Sequence, residues 1–125
     1  MRKQYHCRRG TDGLDAWDVD RLIESSRHLP VEEVSLSGIS ELDSDYWFAG
    51  SEESPTVRKV AEHAQLITAA DLSYPVILGA DGRVMDGMHR VCKALIEGRS
   101  TVPAVRLTVE PPPDYRSCRP DDLPY

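Results

Sequence analysis

Cysteine is scarce in this chain, and long apolar runs are missing. The three cysteines, Cys7, Cys92 and Cys118, are odd in number and form no C-x-x-C pair. That speaks against a disulfide framework or a zinc knuckle and for a reducing cytoplasm. No apolar stretch approaches the roughly 20 residues of a bilayer span, so no membrane partner is expected. Positive charge is also short: 15 Lys and Arg stand against 21 Asp and Glu, a formal net charge of −6. DNA binding draws its affinity from cations on phosphates and is therefore not expected. The opening MRKQYHCRRG is basic without an apolar segment behind it and does not read as a signal peptide. Its adjacent His6 and Cys7 read as part of a tail rather than as metal ligands.

What is present fits one globular domain: 125 residues, 40% hydrophobic and 29% charged. Residues 1–17 read as an N-terminal tail, 18–110 as the domain and 111–125 as a proline-rich tail, extended, docked or disordered. Asp15, with Asp18 three residues on, is placed to N-cap a first helix that Pro30 stops. VEEVSLSGI alternates like a half-buried strand carrying Val34 and Leu36. Ser54 and Pro55 form a favoured N-cap and N1 pair for a second helix. Its apolar face is Val57, Val60, Ala61, Ala64 and Ile67, with Arg58, Lys59, Glu62 and His63 turned outward.

VILGADGRVMDGMHRVCKALIEG, residues 76–98, holds the densest signals. Val76 to Leu78 form a buried strand, Asp81-Gly82 predicts a type I′ hairpin, and Arg83 to Met85 return. A third helix runs from about Gly87 to Glu97, with Met88, Val91, Cys92 and Leu95 at core spacing and Gly98 ending it in the left-handed conformation. TVPAVRL is a last strand, its Pro103 favouring an edge or a bulge. Val76 to Leu78, Val84, Val91, Leu95, Val105 and Leu107 are expected to share one core with Val34 and Leu36.

The strand-to-helix junction carries the chemistry. Gly87 lets the backbone turn sharply, and the first helical amides lack intrahelical acceptors at the positive end of the dipole. Together these favour an anion. Arg90 can add a guanidinium fork, His89 a donor or proton-transfer group, and Asp86 a ligand for Mg²⁺ or a base. A plainer reading stands beside this one: Asp86 caps the helix, Arg90 faces solvent, and His89 bonds a nearby carbonyl.

In order, Tyr74-Pro75, Asp81-Gly82, Gly87-Met88-His89-Arg90 and Val102-Pro103-Ala104-Val105 resemble the core of the ParB/sulfiredoxin-like superfamily. The resemblance covers roughly residues 56–107. It implies a single α/β domain, a small mixed sheet with about three helices, and nucleotide phosphates bound by Gly87, Met88, His89 and Arg90. Sulfiredoxins use a cysteine within G-C-H-R; Met88 stands there, and a thioether cannot do that chemistry. ParB partition proteins add helix-turn-helix and dimerisation domains, which these acidic 125 residues do not hold. Small-molecule kinases, including free-serine kinases, carry a motif like D-G-H-H-R, matched by Asp86, Gly87, His89 and Arg90, with Met88 replacing the first histidine.

The kinase resemblance implies a nucleotide such as ATP, ADP or CTP with Mg²⁺ on Asp86, and a small-molecule acceptor. Asp86, His89 and Glu41 would be the catalytic groups, with Glu41 across a cleft from Gly87. Asp43 and Asp45 share the acidic loop with Glu41, where solvated acids are the plainer reading. Tyr46-Trp47-Phe48 stacks a nucleobase or plugs the end of the sheet. Arg58 reads as a phosphate contact or a surface residue, and His28 and His63 as surface residues. The competing function is a non-catalytic nucleotide-sensing or protein-interaction module.

Overall fold

The computed structural model describes residues 3–10, 12–48 and 54–125. Among the described residues the protein is mixed α/β, with three α-helices, one four-stranded sheet and one three-stranded sheet. None of these helices is long and apolar enough to cross a membrane.

The larger sheet is assembled from β3 (Glu32–Ser35), β4 (Val76–Leu78), β5 (Val84–Asp86) and β6 (Thr101–Arg106), in the order β3-β6-β4-β5. β4 and β6 are parallel, which requires a crossover, and α3 (Met88–Ile96) supplies it. Side chains alternate across the strands, so the sheet has two apolar faces rather than the single shared core expected. Val76, Leu78, Val84, Val102 and Ala104 pack with Leu36, Ile39 and the α3 residues Met88, Val91 and Ala94. Ile77, Met85, Val105 and Leu107 face the other way, against Trp17 and Leu22. Leu95, expected in the core, is 52% exposed in the last turn of α3, and Ala94 is buried instead. Leu36 reaches the core from a 3₁₀ turn rather than from β3.

Two local corrections have simple causes, and one expectation is met. The β4–β5 turn is not type I′, because Gly82 has φ +87° while Asp81 keeps a negative φ. Asp81 instead accepts from the Arg83 amide at 2.9 Å, and the Gly82 amide closes on Gly79 at 2.9 Å. Pro103 sits in an interior strand. The Leu36 amide bonds to Ser100 O, which places the Glu33–Pro103 pair at a non-hydrogen-bonded position of β3–β6. Its missing N–H thus points to the β4 side, where pairing starts only at Ala104. At the end of α3, the Gly98 amide bonds Leu95 O and the Arg99 amide bonds Ala94 O, a Schellman closure with Gly98 at φ +76°.

Residues 3–10, 12–17 and 111–125, within the segments read as tails, are not simple tails. β1 (Tyr5–Arg9), β2 (Leu14–Asp18) and β7 (Tyr115–Cys118) form the second sheet, with β2 in the middle. Of the three options for the proline-rich segment, docking is realised: Trp17 Nε1 donates to Pro111 O at 2.8 Å, and the Asp18 amide to Asp114 Oδ2 at 2.8 Å. Because β2 continues to Asp18, that residue and not Asp15 caps α1 (Val19–Ser26), accepting from the Asp20 amide.

α2 (Val57–Ala69) is capped by Thr56, not Ser54, through the Lys59 amide at 3.2 Å. Its expected apolar face does not pack. Val57, Val60, Ala61 and Ala64 are exposed, while Lys59, His63, Ile67 and Ala70 form a narrow half-buried stripe. No α2 side chain is fully buried.

Candidate functional site

The junction after β5 is built as the sequence predicts in its backbone. Gly87 is the N-cap of α3 with φ +105°, and the first intrahelical bond runs from the Val91 amide to Gly87 O at 3.0 Å. Glycine brings no side-chain acceptor to the first turn, so the positive end of the helix carries no cap from that residue. Glycine is also required sterically: a Cβ at this position would lie 3.1 Å from the Arg90 guanidinium.

Arg90 turns inward instead of reaching out. One guanidinium nitrogen donates to Asp86 Oδ2 at 2.7 Å, and the other to Tyr74 O at 3.0 Å and Pro75 O at 2.6 Å. The Arg90 and Asp86 side chains are only 17% and 15% exposed. This fork ties the loop before β4 to the end of β5. Asp86 is thereby neither the helix cap nor a carboxylate held open for a metal.

His89 and Met88 part company. Met88 is 6% exposed and belongs to the core. His89 bonds His63 of α2, Nε2 to Nδ1 at 2.8 Å, and the Trp47 indole stacks on both rings at centroid distances of 4.8 and 4.2 Å. Burial first, then the His63 ring and Arg90, pull the His89 pKa below its ordinary value. His63, read from the sequence as a surface residue, is thus a partner of the junction. Nothing in the local spacing links positions 26 residues apart; only the packing of α2 on α3 reveals it.

Glu41 lies in the 3₁₀ segment Ser40–Asp43. It lines a groove with Met88, whereas Gly87, expected across the cleft from it, is not among the residues lining that groove, and the Glu41 carboxylate is engaged. The Val84 amide donates to Glu41 Oε2 at 2.7 Å, and the Tyr46 hydroxyl donates to Val84 O at 3.2 Å. These two side chains occupy both backbone groups of one residue on edge strand β5, as a neighbouring strand would. Burial, reinforced by Glu41 and Asp86, pushes the Tyr46 phenol pKa up. Asp43 is exposed, and Asp45 accepts from the Phe48 amide at 3.0 Å. Arg58 is exposed at the start of α2, as is His28 after α1.

The groove itself encloses about 210 Å³ between Leu42, Tyr46, Trp47, Phe48, Met88 and Cys92. Burial raises the Cys92 thiol pKa, so the thiolate is disfavoured. Among the described residues no three His, Cys, Asp or Glu side chains are grouped to hold a metal ion. Comparison with family models, curated proteins and solved structures returns no match to this chain.

Proposed function

We propose that this protein is a phosphate- or nucleotide-binding module that does not consume its ligand. One observation carries the reading: the groups that phosphoryl transfer would need are built into the frame. Arg90 is spent on Asp86 and two carbonyls, and Glu41 on the Val84 amide. The uncapped start of α3 at Gly87 remains, where backbone amides and the helix dipole favour an anion without any base. Resident Mg²⁺ is not favoured by this side-chain set, since the Asp86 carboxylate is already paired with the Arg90 guanidinium and belongs to no group of three possible metal ligands among the described residues. The resemblance to ParB/sulfiredoxin-like proteins supports the same choice of ligand.

The test is a thermal-shift panel of inorganic phosphate, ATP, ADP, CTP and GTP, each with and without Mg²⁺. Saturation at a hundredfold over Kd stabilises the native state by about 2.7 kcal/mol, which raises the melting temperature by several degrees. The ligand should be recovered unchanged after incubation with a broad set of small hydroxyl acceptors. No shift with any ligand removes the binding reading. Consumption of a nucleotide replaces the module with the phosphotransferase.

A further inference from the structure

The His63–His89 pair under Trp47 is absorbed by no part of the proposed function. Two imidazoles joined by one hydrogen bond share one proton between the facing nitrogens. Either neutral tautomer arrangement satisfies the 2.8 Å contact from His63 Nδ1 to His89 Nε2. A first added proton leaves the contact intact, as imidazolium donating to imidazole. A second proton leaves two donors and two positive charges facing each other, and the bond is lost.

The position of the pair gives that chemistry a consequence. α2 buries no side chain fully, so hydrophobic burial contributes little to holding it. It is tied to α3 by the histidine pair in its middle. At its carboxyl end Lys93 Nζ donates to Thr68 O at 3.1 Å and to Ala70 O at 2.6 Å. The Trp47 indole lies nearly parallel to both imidazoles, at 23° and 16°, and closes the pair from the loop side.

The charged groups on the surrounding elements are mixed. Arg90, next in the chain to His89, is paired with Asp86. Lys59, one turn before His63, is paired with Glu62, and Lys93 is one turn after His89. Asp45 lies in the Trp47 loop and bonds the Phe48 amide. Burial, then the facing imidazole and Arg90, all oppose charge on His89.

We infer that the His63–His89 pair is a proton-operated latch: when both imidazoles are protonated, α2 lets go of α3 while the sheet beneath stays folded.

Amide hydrogen exchange, expressed as protection factors between pH 7.5 and 4.0, tests this on the full chain. Residues 60–69 of α2 should lose protection by on the order of tenfold relative to α3 and β4 as the pH falls. His63→Phe and His89→Phe each keep a flat ring under Trp47 but cannot take a proton. In both variants the pH-dependent difference between α2 and α3 should vanish, whatever the absolute protection of α2. The latch is refuted if wild-type α2 and α3 change in parallel across this range. It is equally refuted if either phenylalanine variant keeps the α2-selective loss.

Discussion

The Arg90 guanidinium and the Asp86 carboxylate meet at 2.7 Å across the glycine that separates a strand from a helix. An arginine one helical turn from such a glycine reads in sequence as an anion ligand. In the fold it staples the junction shut.

Removing that staple should destabilise the protein, not merely weaken a ligand. Arg90→Ala strips donors from Asp86 Oδ2 and from the Tyr74 and Pro75 carbonyls at once. Breaking a largely buried pair costs about 3–5 kcal/mol. Urea unfolding should show that loss, with Asp86→Asn losing less because an amide still accepts from Arg90. A stable Arg90→Ala protein with poorer nucleotide affinity would restore the ligand role.

Gly87→Ala is expected to be harmful in a substitution that is usually mild. The new methyl group meets the guanidinium at 3.1 Å, and φ +105° strains any L side chain. Backbone strain of this kind costs of order 1–3 kcal/mol. Thermal unfolding measures it, and an unchanged melting temperature would contradict the described conformation.

Glu41→Gln should leave any ligand binding intact while costing stability. The bond from the Val84 amide is charge-assisted, and such bonds contribute about 1.5–3 kcal/mol. The Val84 amide proton resonance should shift upfield, and Tyr46→Phe should add a smaller loss at the same residue. Equal stability of wild type and Glu41→Gln would show that the carboxylate is available after all.

Acid should weaken the fold through His6. This imidazole is buried against Trp17, accepts from Arg8 Nε at 3.1 Å, and has its pKa pulled down to about 4 by burial and by Arg8. An unfolded histidine titrates near 6.5. Above that value both states are neutral and the group does not act. Below it the unfolded chain takes up a proton that the native state refuses, so stability falls until about pH 4. The full drop is of order 3 kcal/mol. His6→Gln, which can accept from Arg8 without titrating, should flatten the urea midpoint between pH 7 and pH 5; persistence of the full slope would assign it to another group.

How far the sequence could be read depended on the range of the interaction. Gly98 as a left-handed helix end and Gly87 as a helix start are local demands on φ, and both are met. Of the larger sheet, β3 is visible in apolar alternation, β4 and β6 as short apolar runs and β5 as the return of a hairpin, and α3 is visible in its helical spacing. Partners distant in the chain were not visible. Arg90 reads as outward from its own helix, but Tyr74 and Pro75 carbonyls converge on it from another loop. Likewise Glu41 reads as a catalytic acid facing the Gly87 turn until the bare edge of β5 is placed beside it. The α2 face failed for a different reason: its apolar stripe predicts which side is apolar, not that something covers it. Residues 1–17 read as a tail because β1 is basic and poor in apolar residues, and the other neighbour of β2, β7, lies far along the chain.

That last pairing sets an order of events. Cys118 donates through Sγ to Leu14 O, a bond closing 104 residues of chain. During synthesis the hairpin of β1 and β2 can form early, but its far edge stays open until β7 has been made. Closing so long a loop gives no reward until the intervening sheet has already brought the two segments near each other. The small sheet is therefore the clasp fastened last, and until then Trp17 and Ala16 lie beside an unpaired edge.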